Sequence, residues 1–357
     1  MNTNPELDDF LNANIDGSSS SSSLDYYDSL DLREEEKDNG ELLDLVEHDN
    51  IDPRLKLLSH SSRLAMHKCP KAYQLYRLNS INSGVVDILQ GITFSYGTAV
   101  GIGIQSILEG KTESQVILDV FLAWDVDLLD SNPKQKKSIW EAIFAAQRFF
   151  NVRLTHTLKD YELVYYKGKP AVELGFKIQL DNGYSYRGFL DAVLQHKVTK
   201  EALVLESKTS SIKPDSAQYK NSGQAIGYSI VLDTLFPELS SYKVLYMIYY
   251  TKAREYVEMP FTKTLLQRAL WLQDLLLDVD KLKLYEEYNS YPMHGESCFN
   301  FFKPCEYIGL CTLSLDRLIK PITAHNWQKL EDNEAEAYDF TVDFYDLVTD
   351  QIKKGEL

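Results

Sequence analysis

From residue 171 the chain alternates with a period of two: Val172, Leu174, Phe176, Ile178 and Leu180 point one way, Glu173, Gly175, Lys177 and Gln179 the other. That pattern predicts a half-buried strand. Asp181-Asn182-Gly183 offers a hairpin turn, and a second strand follows from Tyr184 to Gln195. The mostly apolar run from Ala202 to Lys208 reads as a strand buried on both faces in the middle of a sheet. A helical pattern from about Asp215 to Leu235 then crosses to a strand at Tyr242–Thr251, so the fold class is α/β, a mixed sheet flanked by helices.

Before this block the period is helical. Ser61 or Ser62 offers an N-cap ahead of Leu64, Ala65 and Met66, and the fold is expected to begin near Leu57. Pro70 suits the first position of a second helix, with Tyr73, Leu75 and Tyr76 as its apolar stripe and Cys69 at the junction. Phe94 to Leu108 mixes Gly97, Ala99, Gly101 and Gly103 with large aliphatic residues. Gly97 and Gly101 share a helix face, where a missing Cβ admits either a ligand or a tightly packed sheet. Residues 113–158 continue as helices, with Trp124, Trp140, Phe144, Phe149 and Phe150 expected in the core.

Composition changes the picture mainly at the N-terminus. Residues 1–60 carry 16 Asp and Glu against 4 Lys and Arg, which places −12 of the net charge of −16 there. With the serine run Ser18–Ser23 and few large apolar clusters, residues 1–56 are expected to be a disordered acidic tail. Leu42, Leu43, Leu45 and Val46 could form a short docking helix within it. The remaining 297 residues are close to neutral, so basic patches are local: Arg187, Lys213 and Lys220. No apolar run is long enough to span a bilayer and the first residues lack a signal-peptide profile, so a soluble, cytoplasmic protein with no membrane partner is expected, in the host cytoplasm if it is viral. Four cysteines in 357 residues do not make a disulfide framework; they are free thiols or metal ligands.

The candidate chemistry lies at the end of the apolar strand. Glu206 and Lys208 are two apart and share a face, and antiparallel pairing of the preceding strand would bring Asp191 beside Glu206. Taken alone, Glu206 and Lys208 read as an exposed ion pair at a strand end. With Asp191 added, two carboxylates repel unless a cation lies between them, and oxygen donors suit Mg²⁺ or Mn²⁺. Such an ion could activate water for attack on a phosphodiester, with Lys208 positioning the water or stabilising charge on the phosphate. Glu109-Gly110-Lys111-Thr112 lacks the leading glycine of a P-loop, and the seven histidines show no zinc-hydrolase spacing.

Gly188-Phe189-Leu190-Asp191 with Glu206-Ser207-Lys208-Thr209, in this order of elements, resembles the catalytic core of the PD-(D/E)XK nuclease superfamily. Gln224-Ala225-Ile226-Gly227-Tyr228 resembles the QxxxY motif of its RecB-like exonuclease branch, which includes phage-encoded members. The resemblance implies a restriction-endonuclease-like core over residues 57–315, with a helical insert at about 112–158 and a C-terminal Cys-containing segment, followed by an extension at 316–357. It also implies a metal-dependent DNA nuclease, expected to be an exonuclease working in replication, recombination or repair, with DNA and recombination or replication proteins as partners. Asp191 and Glu206 would hold Mg²⁺ or Mn²⁺, with Lys208, Gln224 and Tyr228 catalytic. Cys69-Pro70 with Tyr73, and Cys298, Cys305 and Cys311, resemble the cysteines that hold a [4Fe–4S] cluster in several members; tetrahedral zinc or plain buried thiols are the other readings. Two departures stand out: six residues separate Cys298 from Cys305 where the family has two, and Gly101 occupies the position of a metal-binding histidine. Gln105 or Glu173 would then help at the metal. The same glycine motivates a second reading, a nuclease-fold DNA-binding or assembly protein without catalysis.

Overall fold

The computed structural model describes residues 52–79, 92–125, 137–239, 242–300, 303–305, 307–311 and 338–353. The chain divides into two units, Met1–Glu47 and His48–Leu357, and every described residue belongs to the second. The expected acidic tail up to residue 51, the cluster Leu42–Val46, residues 126–136 of the helical insert, and Phe301 and Phe302 lie outside the described residues.

A 3₁₀ turn (Pro53–Lys56) leads into β1 (Leu57–Leu58), α1 (His60–Lys68) and α2 (Pro70–Asn79). The helical layer follows as α3 (Ile92–Leu108), α4 (Glu113–Ala123) and α5 (Ile139–Thr155). Then come β2 (Tyr161–Leu163), the small hairpin β3 (Tyr165–Tyr166) and β4 (Lys169–Pro170), β5 (Val172–Gln179), β6 (Ser185–His196) and β7 (Ala202–Ser210). After α6 (Ser216–Lys220) and α7 (Gly223–Leu235) the chain forms β8 (Tyr242–Tyr250), β9 (Glu255–Lys263) and the long α8 (Leu265–Glu287). A two-stranded turn, β10 (Phe299–Asn300) and β11 (Lys303–Pro304), precedes β12 (Phe340–Asp343) and α9 (Phe344–Lys353).

The sheet runs β12-β5-β6-β7-β8-β9, with β1 and β2 added alongside β6. β5–β6–β7 are antiparallel, β7 and β8 parallel, and β8–β9 antiparallel, so β7 is central as its apolar run predicts. β12 joins β5 in parallel, Phe340 opposite Phe176, which brings the segment 338–353 into the fold. One face of the sheet packs a first core with residues of α1, α2, α7, α8 and α9; the other packs a second core with α3, α4 and α5. No helix among the described residues is long and apolar enough to cross a membrane.

Several local expectations shift. Ser59, not Ser61 or Ser62, caps α1, in a capping box with Ser62. The helix expected over 215–235 is two helices, broken at Asn221-Ser222, residues that favour turns over helix interiors. Trp140 is 71% exposed. α5 buries Ala142, Ala145 and Ala146 together with Ile139, Phe149 and Val152, so Phe149 is in the core as expected, as is Trp124, while Arg148 and Arg254 stack on Phe144. The tight glycine of α3 is Gly103: a Cβ there would meet Ala146 Cβ at 2.6 Å and Val120 Cγ2 at 2.9 Å. At Gly97 and Gly101 the nearest atoms, Thr209 Oγ1 and Ser207 Oγ, would be 3.9 and 3.8 Å away, which is ordinary contact.

Candidate active site

The site lies where β6 and β7 part. Their ladder ends at Ala192 opposite Leu205, while β7 continues beside β8 to Ser210. Ser207 therefore has no backbone partner from β6, and Asp191 supplies one: its Oδ2 accepts from Ser207 N at 2.7 Å and from Ser207 Oγ at 2.9 Å. The strand slips at the same place. Leu190 and Val193 face the first core while Ala192 and Leu194 face the second, so alternation is shifted by one residue around Asp191. On β5, Glu173 takes a left-handed φ of 47°, uncommon for a residue with a Cβ, and the β5–β6 register passes from Val172–Ala192 to Leu174–Leu190 without it.

Glu206 and Lys208 continue the face of Val204 toward the first core and form an ion pair with each other. Glu206 is 1% exposed, and its Oε2 has no hydrogen-bond partner. Burial, reinforced by repulsion from Asp191, pushes its carboxyl up to about 8, although Lys208 pulls the other way. Asp191 is raised too, by burial, with the Ser207 hydrogen bonds and Lys208 opposing. For Lys208 burial works against the charge, but Glu206 outweighs it and holds the ammonium above its usual range. Fully ionised, the carboxylates would carry more negative charge than the one lysine offsets, and each is held above its ordinary range.

Glu173 and Gln105 meet: the Gln105 amide donates to Glu173 Oε1. Burial and then Asp191 raise the Glu173 carboxyl, so it shares the electrostatic environment of the pair. On α7, Gln224 Nε2 donates to Tyr228 OH at 2.8 Å. Tyr228 is buried, and burial followed by the charges of Glu206 and Asp191 drives its phenol far above the ordinary range. Two glycines make this approach possible. A Cβ at Gly188 would lie 2.9 Å from Phe176 Cζ and 3.6 Å from Tyr228 Cε1, and one at Gly227 would lie 2.7 Å from Trp271 Cζ2.

Two residues here were missed by sequence reasoning. Ser207 is the middle residue of Glu-x-Lys, and a period of two assigns it to the opposite face; its backbone N–H, freed where the ladder ends, is what holds Asp191. His60 opens α1, and its ring is lowered to about 4 by burial, then by Lys208 and Arg63, so it is neutral beside the lysine. Only the fold brings it there. Of the basic residues named, Arg187 bonds Tyr338 OH at 3.0 Å, while Lys213 and Lys220 are exposed.

The four cysteines come together elsewhere. Cys69, Cys298, Cys305 and Cys311 line one cavity of about 720 Å³ between the α1–α2 junction and the β10–β11 turn. Cys305 N bonds Cys298 O at 2.7 Å across that turn, and Cys311 Sγ donates to Tyr307 O at 3.2 Å. Burial, then the other three thiols, raise Cys311. Tyr307 is buried, whereas Phe299 is 63% exposed. Among the described residues no three His, Cys, Asp or Glu side chains close around a single ion.

No family profile matches the chain, and no curated protein matches it. Among solved structures the chain is similar to a provisionally assigned exonuclease from Eubacterium rectale, at 13% identity over 81% of this chain and 98% of that one, with a TM-score of 0.44. It is also similar to the protein SSO0001, at 13% identity over 68% of this chain and 96% of that one, with a TM-score of 0.27. At these scores neither likeness bears on what the site does. What fold and site define is a mixed α/β protein with a buried carboxylate, a half-buried one and a lysine at a split in its central sheet.

Proposed function

We propose that this protein is a metal-dependent nuclease acting on DNA, an exonuclease of the PD-(D/E)XK kind whose motifs its sequence resembles. The observation that carries the reading is the orphaned Oε2 of Glu206, buried beside Asp191 at the split. An unpaired buried oxygen and a second carboxylate fit a hard divalent cation, and two protein carboxylates suit Mg²⁺, which keeps several waters of its own. Bound there, Mg²⁺ or Mn²⁺ would lower the pKa of a water and offset charge on a phosphate.

The chain's own residues divide the remaining work. Ser207 fixes the Asp191 carboxylate through two hydrogen bonds, and Gln105 fixes Glu173. Lys208, charged and partly open to solvent, meets the negative charge that develops on the phosphate. Gln224 and Tyr228 act as one unit on α7 and orient the substrate backbone. The cysteine cavity is read as the seat of a [4Fe–4S] cluster held by Cys69, Cys298, Cys305 and Cys311: four soft donors line one space.

Replacing Lys208 by Ala tests the assignment of roles. Metal-dependent cleavage of DNA is expected to fall by about 10²- to 10³-fold, as when one transition-state donor is removed, with Mn²⁺ binding retained. Cleavage at the wild-type rate in that variant would overturn it.

A further inference from the structure

The outer face of α8 carries a row of leucines left open to solvent. Its inner side buries Trp271, Leu272, Leu275, Val279 and Leu282 in the first core, and Asp278 pairs with Arg63 of α1. On the opposite side Leu266, Leu270, Leu277 and Leu284 are between 49 and 67% exposed. At 100° per residue these four fall within about 40° of one another and run about 27 Å along the helix. Tyr288, exposed at the C-cap, continues the row. Single exposed leucines are ordinary, but a stripe with a seven-residue step from Leu270 to Leu277 to Leu284 is the kind of seam by which helices pair.

The residues bordering the stripe indicate what covers it. Asp274 and Lys281 stand on one flank, Gln273 and Asp280 on the other. A two-fold axis at Leu277, perpendicular to the helix, turns α8 onto an antiparallel second copy, so that Leu277 meets its counterpart, Leu270 meets Leu284 of the second copy, and Leu266 approaches Tyr288 of the second copy. The same rotation sets each flank against its own equivalent. Asp274 then faces Lys281 of the second copy, twice, and Gln273 faces Asp280 of the second copy, twice. Asp274 has no ion-pair or hydrogen-bond partner among the described residues, and Lys281 meets Asp278 of its own helix at 3.4 Å. A lipid surface would ask instead for Lys and Arg along the flanks, where three of these four residues are acidic or neutral.

We propose that this protein forms a dimer through α8, two copies packing antiparallel about Leu277 with Asp274 of each paired to Lys281 of the other. The proposal is independent of the nuclease reading, because it rests on the face of α8 turned away from the first core.

Sedimentation equilibrium of the full-length protein in reducing buffer, from about 1 to 100 µM, tests it. A monomer–dimer equilibrium is expected within that range. Leu277→Glu removes a leucine from both sides of the axis at once and is expected to raise the dimer dissociation constant by about a hundredfold, roughly tenfold per leucine, with the circular dichroism of the monomer unchanged. Asp274→Lys and Lys281→Asp each set like charges opposite one another and are expected to weaken the dimer by about three- to tenfold. Combined in one chain they restore the pairs with their signs reversed, and the dimer is expected to recover, which neither misfolding nor a different interface would reproduce. A protein that stays monomeric to the top of the range, a dimer indifferent to Leu277→Glu, or charge variants whose effects add instead of cancelling would overturn the proposal.

Discussion

Glu206 is costly where it sits. An ordinary glutamate titrates at 4.5, this one at about 8, so between those values the folded protein holds a proton that the unfolded chain has lost. Stability from this group therefore falls as pH rises from about 5 to 8, and Asp191, also raised, adds the same sign. In EDTA the urea midpoint is expected to fall over that range. Glu206→Gln should flatten the fall and stabilise the protein at pH 8 by up to a few kcal/mol, while abolishing cleavage. An unchanged slope in the variant would mean that Glu206 is not the buried acid described. That Glu206 and Lys208 share a face was legible from spacing, because period two is a local property; taken alone they read as an ion pair, and adding Asp191 needed the pairing of two strands and the family resemblance. The part of Ser207 was not legible: it depends on where a ladder between two distant strands stops.

At the scale of elements, the sheet and the helical layer are held at different tolerances. α3 meets α4 and α5 at Gly103 with no room for a methyl group, but stands off β7 at Gly97 and Gly101. Gly103→Ala is expected to cost about 1–3 kcal/mol by overpacking, whereas Gly101→Ala should cost less than about 1 kcal/mol; thermal unfolding of both variants checks this. Equal effects would contradict the packing described. The alternating strands and the central position of β7 followed directly from hydrophobic period. The inward face of α5 followed only in part: Phe149 is buried as expected, but Trp140 is exposed while Ala146 is inward, where the close approach to Gly103 favours a small residue. The break between α6 and α7 was marked by Asn221-Ser222-Gly223, turn residues outweighed by the apolar run that follows them.

Across the whole molecule, several joins among the described residues bring distant segments of the chain together. Gln351 Nε2 bonds Asp233 at 2.6 Å, and Asp233 pairs with the buried Arg268, which fastens α9 to α7 and α8. The cysteine cavity joins residue 69 to residues 298–311. If a [4Fe–4S] cluster occupies it, protein purified without oxygen should contain about four iron atoms per chain, and Cys298→Ser or Cys311→Ser should lose the iron and lower the melting temperature. Full iron content in both variants would remove those thiols from the ligand set. Such long-range joins were the least legible part of the chain: β12 pairs in parallel with a strand more than 160 residues earlier, and no local pattern announces that. The four cysteines were legible as one set only through the family resemblance, and their convergence is a result of the fold.

The measurement that bears most directly on the central claim is cleavage of end-labelled single- and double-stranded DNA by the anaerobically purified protein in Mg²⁺, Mn²⁺ or EDTA, beside Glu206→Gln. Cleavage that requires the metal and disappears in the variant is the predicted result. Cleavage that persists in Glu206→Gln, or a folded wild-type protein that cuts neither DNA with either metal, would contradict it.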